Sequence, residues 1–166
     1  MRICNAKVFY DNGFAVTGIE ISETAIEIAK KLFNEGFCEQ YAKNLTIYHG
    51  SVSYMPFDHK CYDGVFCYAL IHLLGKSERS KLIRNCYKQL KPNGYMVFVS
   101  TCKETETYGQ GKKISKDRFK TKHGVNLFYY DSTSVNDEFS NYGLVEIKEI
   151  KESSQTLLAI ICRKPS

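Results

Sequence analysis

Nowhere in this 166-residue sequence is there an apolar run long enough to cross a bilayer; the longest candidates are Tyr95–Val99 and Leu157–Cys162. No apolar stretch of secretory-signal length follows Met1-Arg2 either. These two absences predict a cytoplasmic protein with no membrane partner. Cys-x-x-Cys pairs are also missing. The seven cysteines (Cys4, Cys38, Cys61, Cys67, Cys86, Cys102, Cys162) are an odd set whose spacings fit neither a complete disulfide framework nor a zinc template, so no metal is expected. Cys67, Cys86 and Cys162 lie in apolar segments, where a thiol serves as a small buried hydrophobe. Excess charge of one sign is small, at +5, which excludes a uniformly basic nucleic-acid surface. What excess exists is local: Lys112, Lys113, Lys116, Arg118, Lys120 and Lys122 crowd eleven residues, opposed only by Asp117.

The composition present is that of an ordinary globular chain, 43% hydrophobic and 25% charged, at the length of one domain. Ala15–Ile21 is short, apolar and β-branched, which predicts a buried strand. Ser22 offers an N-cap to a helix carrying Ala25, Ile26, Ala29, Leu32 and Phe33 at helical spacing, with Gly36 to close it. Leu45–His49 completes a strand–helix–strand unit. The pattern repeats with a strand over Gly64–Leu70, a helix capped at Ser77 and stopped by Pro92-Asn93-Gly94, and a strand over Tyr95–Ser100. This alternation implies an α/β fold with a parallel sheet. Thr101–Gly124 is polar, holds Gly109, Gly111 and the basic cluster, and reads as a loop or lid. A short helix over Thr133–Asn141 and an antiparallel strand pair, Leu144–Ile150 with Leu157–Arg163, end the chain. Near the start, Asn5–Tyr10 suits a helix closed at Gly13, while Lys7–Tyr10 before Asp11-Asn12-Gly13 suits a hairpin.

Three blocks, Gly13–Ile26, Met55-Pro56-Phe57 with Tyr62–Phe66, and Leu90–Tyr95, resemble in order and spacing the class I S-adenosylmethionine-dependent methyltransferases. Tyr108-Gly109-Gln110-Gly111-Lys112, with Phe119 and Tyr129-Tyr130, looks more narrowly like the tellurite-resistance type acting on small molecules. The resemblance implies a Rossmann-like methyltransferase sandwich, mostly parallel with an antiparallel C-terminal strand pair. It implies S-adenosylmethionine as cofactor, bound across the carboxyl ends of the strands, and a small-molecule acceptor. Open α/β sheets bind ligands outside those ends.

Glu20, with Ile21 after it, ends the second strand of that scheme, where an acid can accept hydrogen bonds from both ribose hydroxyls. Ser51 and Val52 follow the third strand. The family usually places an acid there for the adenine amino group, and Ser51 could accept one bond while Val52 packs on the ring. An ordinary strand-to-loop turn explains them equally. Tyr68 and Ala69 match the positions flanking the methyl-donating sulfur, with Tyr68 offering an aromatic face to a sulfonium. His72 is the histidine nearest this rim, either a base or a structural side chain, and Asp63 suits a structural role. No catalytic residue is assigned.

In nucleotide-binding α/β folds a glycine-rich turn lies about 20 residues before the ribose-binding acid. Counting back from Glu20 reaches Met1, and Arg2-Ile3-Cys4-Asn5 is no substitute. The first strand and glycine loop of the scheme are therefore expected to be lacking, Asn5–Tyr10 being what is left of the first helix. On that expectation either the chain is a truncated product, or a second copy or a partner chain covers the missing strand. The alternative to catalysis is a methyltransferase-like remnant serving as a structural or interaction module.

Overall fold

The computed structural model describes residues 3–34, 44–56, 58–152 and 155–166. The chain divides into two compact units, Met1–Asp58 and His59–Ser166.

The first unit opens with a helix, α1 (Ile3–Asp11), so the helical reading of Asn5–Tyr10 holds over the hairpin; the Gly13 N–H meets the Tyr10 carbonyl as the helix ends. Strand β1 (Val16–Glu20), helix α2 (Glu23–Asn34) and strand β2 (Leu45–His49) follow. The Ser22 hydroxyl accepts the Ala25 N–H, as its capping role predicts. Gly36, the expected end of that helix, lies outside the described residues. β1 and β2 run parallel, Val16 opposite Leu45 through Glu20 opposite His49. Ala6, Tyr10, Ala29 and Phe33 bury against Val16, Leu45 and Ile47, so the helical apolar stripe and the strands share one small core. Tyr10 and Phe33 meet edge to face at 5.1 Å.

The second unit is built on four strands in the order β3–β4–β9–β8. β3 (Tyr62–Tyr68) pairs parallel with β4 (Leu90–Thr101), and β9 (Gln155–Arg163) runs against both β4 and β8 (Leu144–Glu152). Between β3 and β4 lies α3 (Lys76–Lys88). Its N-cap is Gly75 rather than the expected Ser77, because Glu78 folds back onto the Gly75 N–H at 2.8 Å. The helix also ends earlier than the Pro-Asn-Gly signal suggests. Leu90 already pairs with Tyr62, and Pro92-Asn93-Gly94 forms an irregularity inside β4. A Cβ on Gly94 would stand 2.9 Å from the Asp63 and Lys91 carbonyl oxygens, so only glycine fits. Met96, Phe98, Ile160 and Cys162 are buried, and Phe98 meets Phe139 of α4 (Ser132–Phe139) at 5.3 Å. Val99, Leu157 and Ala159 form a second cluster with Tyr68, Val97 and Ile150.

Thr101–Gly124 is not irregular throughout. β5 (Lys112–Ser115), β6 (Arg118–Lys120) and β7 (Asn126–Phe128) form a separate three-stranded antiparallel sheet. Gly111 has a φ of +90°, and any Cβ there would collide with the Lys120 carbonyl. That glycine serves close backbone approach at the sheet edge, not mobility.

Candidate functional site

Parallel strands of equal length leave their carboxyl ends together, and in the first unit this gathers four of the expected residues. The Gly50 N–H donates to the Glu20 carbonyl at 2.9 Å, which sets Glu20 and Ile21 beside Ser51 and Val52. Glu20 Oε1 accepts the Ile21 and Ser22 N–H groups at 2.9 and 3.0 Å, so its carboxylate is aimed where β1 gives way to α2. His49 Nε2 stands 3.1 Å from the Ile21 carbonyl. Ser51 caps the short turn Val52–Tyr54, its hydroxyl accepting the Ser53 N–H at 3.2 Å, while its own O–H is left to donate.

In the second unit the corresponding strand end carries Tyr68 and Ala69. Ala69 has a φ of +52°, a left-handed conformation unusual for a residue with a Cβ, and its N–H is held by the Val99 carbonyl at 2.9 Å. Such strain persists where surrounding structure enforces it, often at ligand sites. The Tyr68 ring packs in the Val99–Leu157–Ala159 cluster and its hydroxyl donates to Glu152.

His72 is buried within the second unit, just beyond the end of β3 and against the end of β4. Its Nδ1 accepts the Thr101 N–H at 3.3 Å and lies 3.2 Å from the Ser100 hydroxyl. A backbone N–H can only donate, so Nδ1 bears the lone pair and the neutral ring keeps its proton on Nε2. Burial lowers its pKa to about 4. His72 is therefore a neutral strut joining the β3 turn to the end of β4. Asp63 pairs with Lys91 at 2.9 Å on the surface, the structural role expected of it. The described cysteines Cys61, Cys67, Cys86, Cys102 and Cys162 are free. Burial pushes the Cys67 and Cys162 thiols up to about 12, which keeps both protonated and inert.

Residues 4–98 match the family model described as a methyltransferase domain. The chain belongs to that family. Among solved structures, an S-adenosylmethionine-dependent methyltransferase from Methanosarcina mazei is similar with a TM-score of 0.78 at 18% identity, over 96% of this chain and 86% of that one. The Burkholderia thailandensis 1,6-didemethyltoxoflavin-N1-methyltransferase is similar with a TM-score of 0.73 at 12% identity, over 96% and 65%. The [4+2]-cyclase SpnF shares the fold too, with a TM-score of 0.70 at 13% identity, over 96% and 69%. No curated protein matches the chain by sequence. The family and its α/β fold are thus those that the sequence implies.

In this methyltransferase-family chain the donor set suits S-adenosylmethionine in kind. Glu20 presents a carboxylate acceptor, Ser51 has a hydroxyl to offer, and Ala69 keeps a small side chain at a strained strand end. Sequence reading misses the interactions that hold the segment after β4. Lys103 lies 2.9 Å from Asp117 and 2.6 Å from Asp131, and the Tyr108 hydroxyl donates to Asp117 at 2.7 Å. Burial works against the Lys103 charge, but Asp131 and Asp117 outweigh it and hold its pKa well above the usual value. Burial likewise works against both carboxylates, and Lys103 outweighs it and holds them below the usual range. Nearby, Arg79 is buried against Glu138 at 2.6 Å with its guanidinium 3.8 Å from the Phe128 ring centre, and Tyr130 donates to Glu138 at 2.7 Å. In sequence Arg79 is an ordinary polar helix residue, and Tyr130, although part of the Tyr129-Tyr130 pair, carries no sign of its partner Glu138.

Proposed function

We propose that this chain transfers the methyl group of S-adenosylmethionine to a small-molecule acceptor. The observation that carries this is the strand-end group Glu20–Ile21–Ser51–Val52, set side by side where the Gly50 N–H donates to the Glu20 carbonyl, in a chain of the methyltransferase family. Glu20 would accept the ribose hydroxyls, Ser51 and Val52 would meet the adenine, and Tyr68 and Ala69 would flank the methionine end. The cofactor supplies an electrophilic methyl on a sulfonium whose leaving group departs readily. The chain's own residues then have to align the reactants and exclude water, which needs no acid–base pair. A neutral His72 strut in place of a base agrees with that division of labour.

Calorimetry with S-adenosylmethionine and with its demethylated product tests this reading. Saturable binding of both is expected, and binding of neither would count against the cofactor.

A non-catalytic role is the second reading. It is favoured by Ser51, which stands where the family's acid is expected and whose oxygen already caps a turn. A thermal-shift screen with S-adenosylmethionine, its product and NAD separates the two, since an interaction module would respond to none of them.

A further inference from the structure

A cavity of about 630 Å³ opens among α3, α4 and the turn between β5 and β6, entirely within the second unit. Arg79 lines it, with its charge matched by Glu138. Lys76, Lys116 and Arg118 line it as well. Among the described residues none of these three has a carboxylate within ion-pair distance.

The acids around the cavity are mostly engaged elsewhere. Asp117 is held by Lys103 and Tyr108, Glu138 by Arg79 and Tyr130, and Glu78 accepts the Gly75 N–H. Asp137 on the cavity wall, and Glu78, whose charge reaches Arg118 from beyond ion-pair distance, are left to oppose three cations. Arg118 donates to the Leu74 carbonyl and, at 3.0 Å, to the Leu73 carbonyl. Arg79 donates to the same Leu74 oxygen at 3.2 Å, so two like charges converge on one carbonyl and only one of them has a counter-ion. The first turn of α3, at Lys76, adds the partial positive charge of its unpaired N–H groups. Burial and the neighbouring Arg79 lower the Arg118 pKa, and the opposing pull of the Glu78 carboxylate does not restore it.

We propose that this cavity binds an oxyanion, the phosphate or carboxylate group of a small molecule, between Arg118, Lys116 and Lys76. Arg118 has further N–H groups to present as a planar fork, and the two lysines add flexible point charges. This inference stands apart from methyl transfer and needs no cofactor.

The test is titration of the full chain with inorganic phosphate and, separately, with malonate, each at ionic strength matched by chloride. Backbone amide resonances of 76–80 and 115–118 are followed. Saturable shifts with phosphate as the tighter ligand identify a phosphate site; malonate as the tighter identifies a carboxylate site. The double variant Lys76→Gln/Lys116→Gln alters only exposed side chains and should weaken binding about tenfold or more. Arg118→Lys, which keeps charge but loses the fork, should weaken it too, while Lys148→Gln on β8 should not. Absence of saturable shifts with either anion, or shifts that survive the double lysine variant at full affinity, would overturn the proposal.

Discussion

The two units use their polar side chains differently. At the strand ends of the first, Glu20 and Ser51 serve backbone N–H groups one or two residues away. In the second, Arg79–Glu138–Tyr130 and Lys103–Asp117–Asp131 tie together elements far apart in sequence, at side-chain exposures of 4% for Arg79 and 11% for Asp117. A short-range bond at a half-exposed strand end is worth little and is readily shared with a ligand. A buried, fully paired charge is costly to disturb and is not available to one. The first arrangement suits binding and the second suits holding a fold. Substitutions should therefore separate affinity from stability between the units.

The largest effect is expected at Arg79. Arg79→Met strands the Glu138 carboxylate and removes the cation from the Phe128 face, at a cost of about 3–5 kcal/mol in urea unfolding. Adding Glu138→Leu should restore much of that, because the uncompensated charge goes with it. A loss below about 1 kcal/mol for Arg79→Met would mean that the second unit's networks are as dispensable as the first unit's caps.

Glu20→Ala is the matching change in the first unit. It should cost about 1.5–3 kcal/mol of cofactor affinity, the value of a charge-assisted contact, yet no more than about 1 kcal/mol of stability. Calorimetry and unfolding on the same variant decide this. Unchanged affinity with a large loss of stability would turn Glu20 into a structural cap and invert the contrast.

Lys103→Met should fall between, at about 1–2 kcal/mol, since the ammonium is part-exposed and its removal leaves Asp117 and Asp131 without a shared partner. It also predicts a pH signature. Both carboxyls have folded pKa values below their unfolded ones, so the stability they contribute is present above about pH 4 and is lost as pH falls through the folded values. The Lys103 pKa is raised, so its share is present below about pH 10 and is lost as pH rises through the folded value. In Lys103→Met both dependences should weaken. Unfolding free energies measured across pH would refute the assignment if the variant kept the parent's acid limb.

Much of this architecture is legible in the sequence, and the parts that are not share a cause. Apolar runs such as Leu45–His49 and Tyr95–Ser100 lie in strands because periodicity and burial are local properties. Glu20 ends β1, as its place after a short apolar run predicts. Gly75 was missed as an N-cap because Glu78, three residues on, does the capping from the other side. β5, β6 and β7 are not legible because three- and four-residue strands carry almost no alternation, and β5 and β6 are basic besides. The Lys103 and Arg79 networks were invisible because each partner is unremarkable alone. Only the fold brings Lys103 to Asp131, 28 residues away, and Arg79 to Glu138, 59 away.

The smallest expected effect at neutral pH belongs to His72, and it sharpens the contrast by adding a separate pH window. Burial holds the folded pKa at about 4, whereas an unfolded histidine titrates near about 6.5. The unfolded chain therefore takes up the proton first. Stability is complete above about pH 6.5 and is lost progressively as pH falls towards 4, before the carboxylate networks begin to titrate. His72→Asn places an amide oxygen where Nδ1 accepts the Thr101 N–H, so the strut survives without a titratable group. At pH 7 the variant should lie within about 1 kcal/mol of the parent. Between pH 6.5 and 4 its stability should stay nearly level while the parent's declines, and below that the two should fall together. Urea midpoints collected across this range give the answer directly. Parallel curves for parent and variant over the upper window would show that His72 does not titrate on unfolding, and with it the neutral-strut reading would fail.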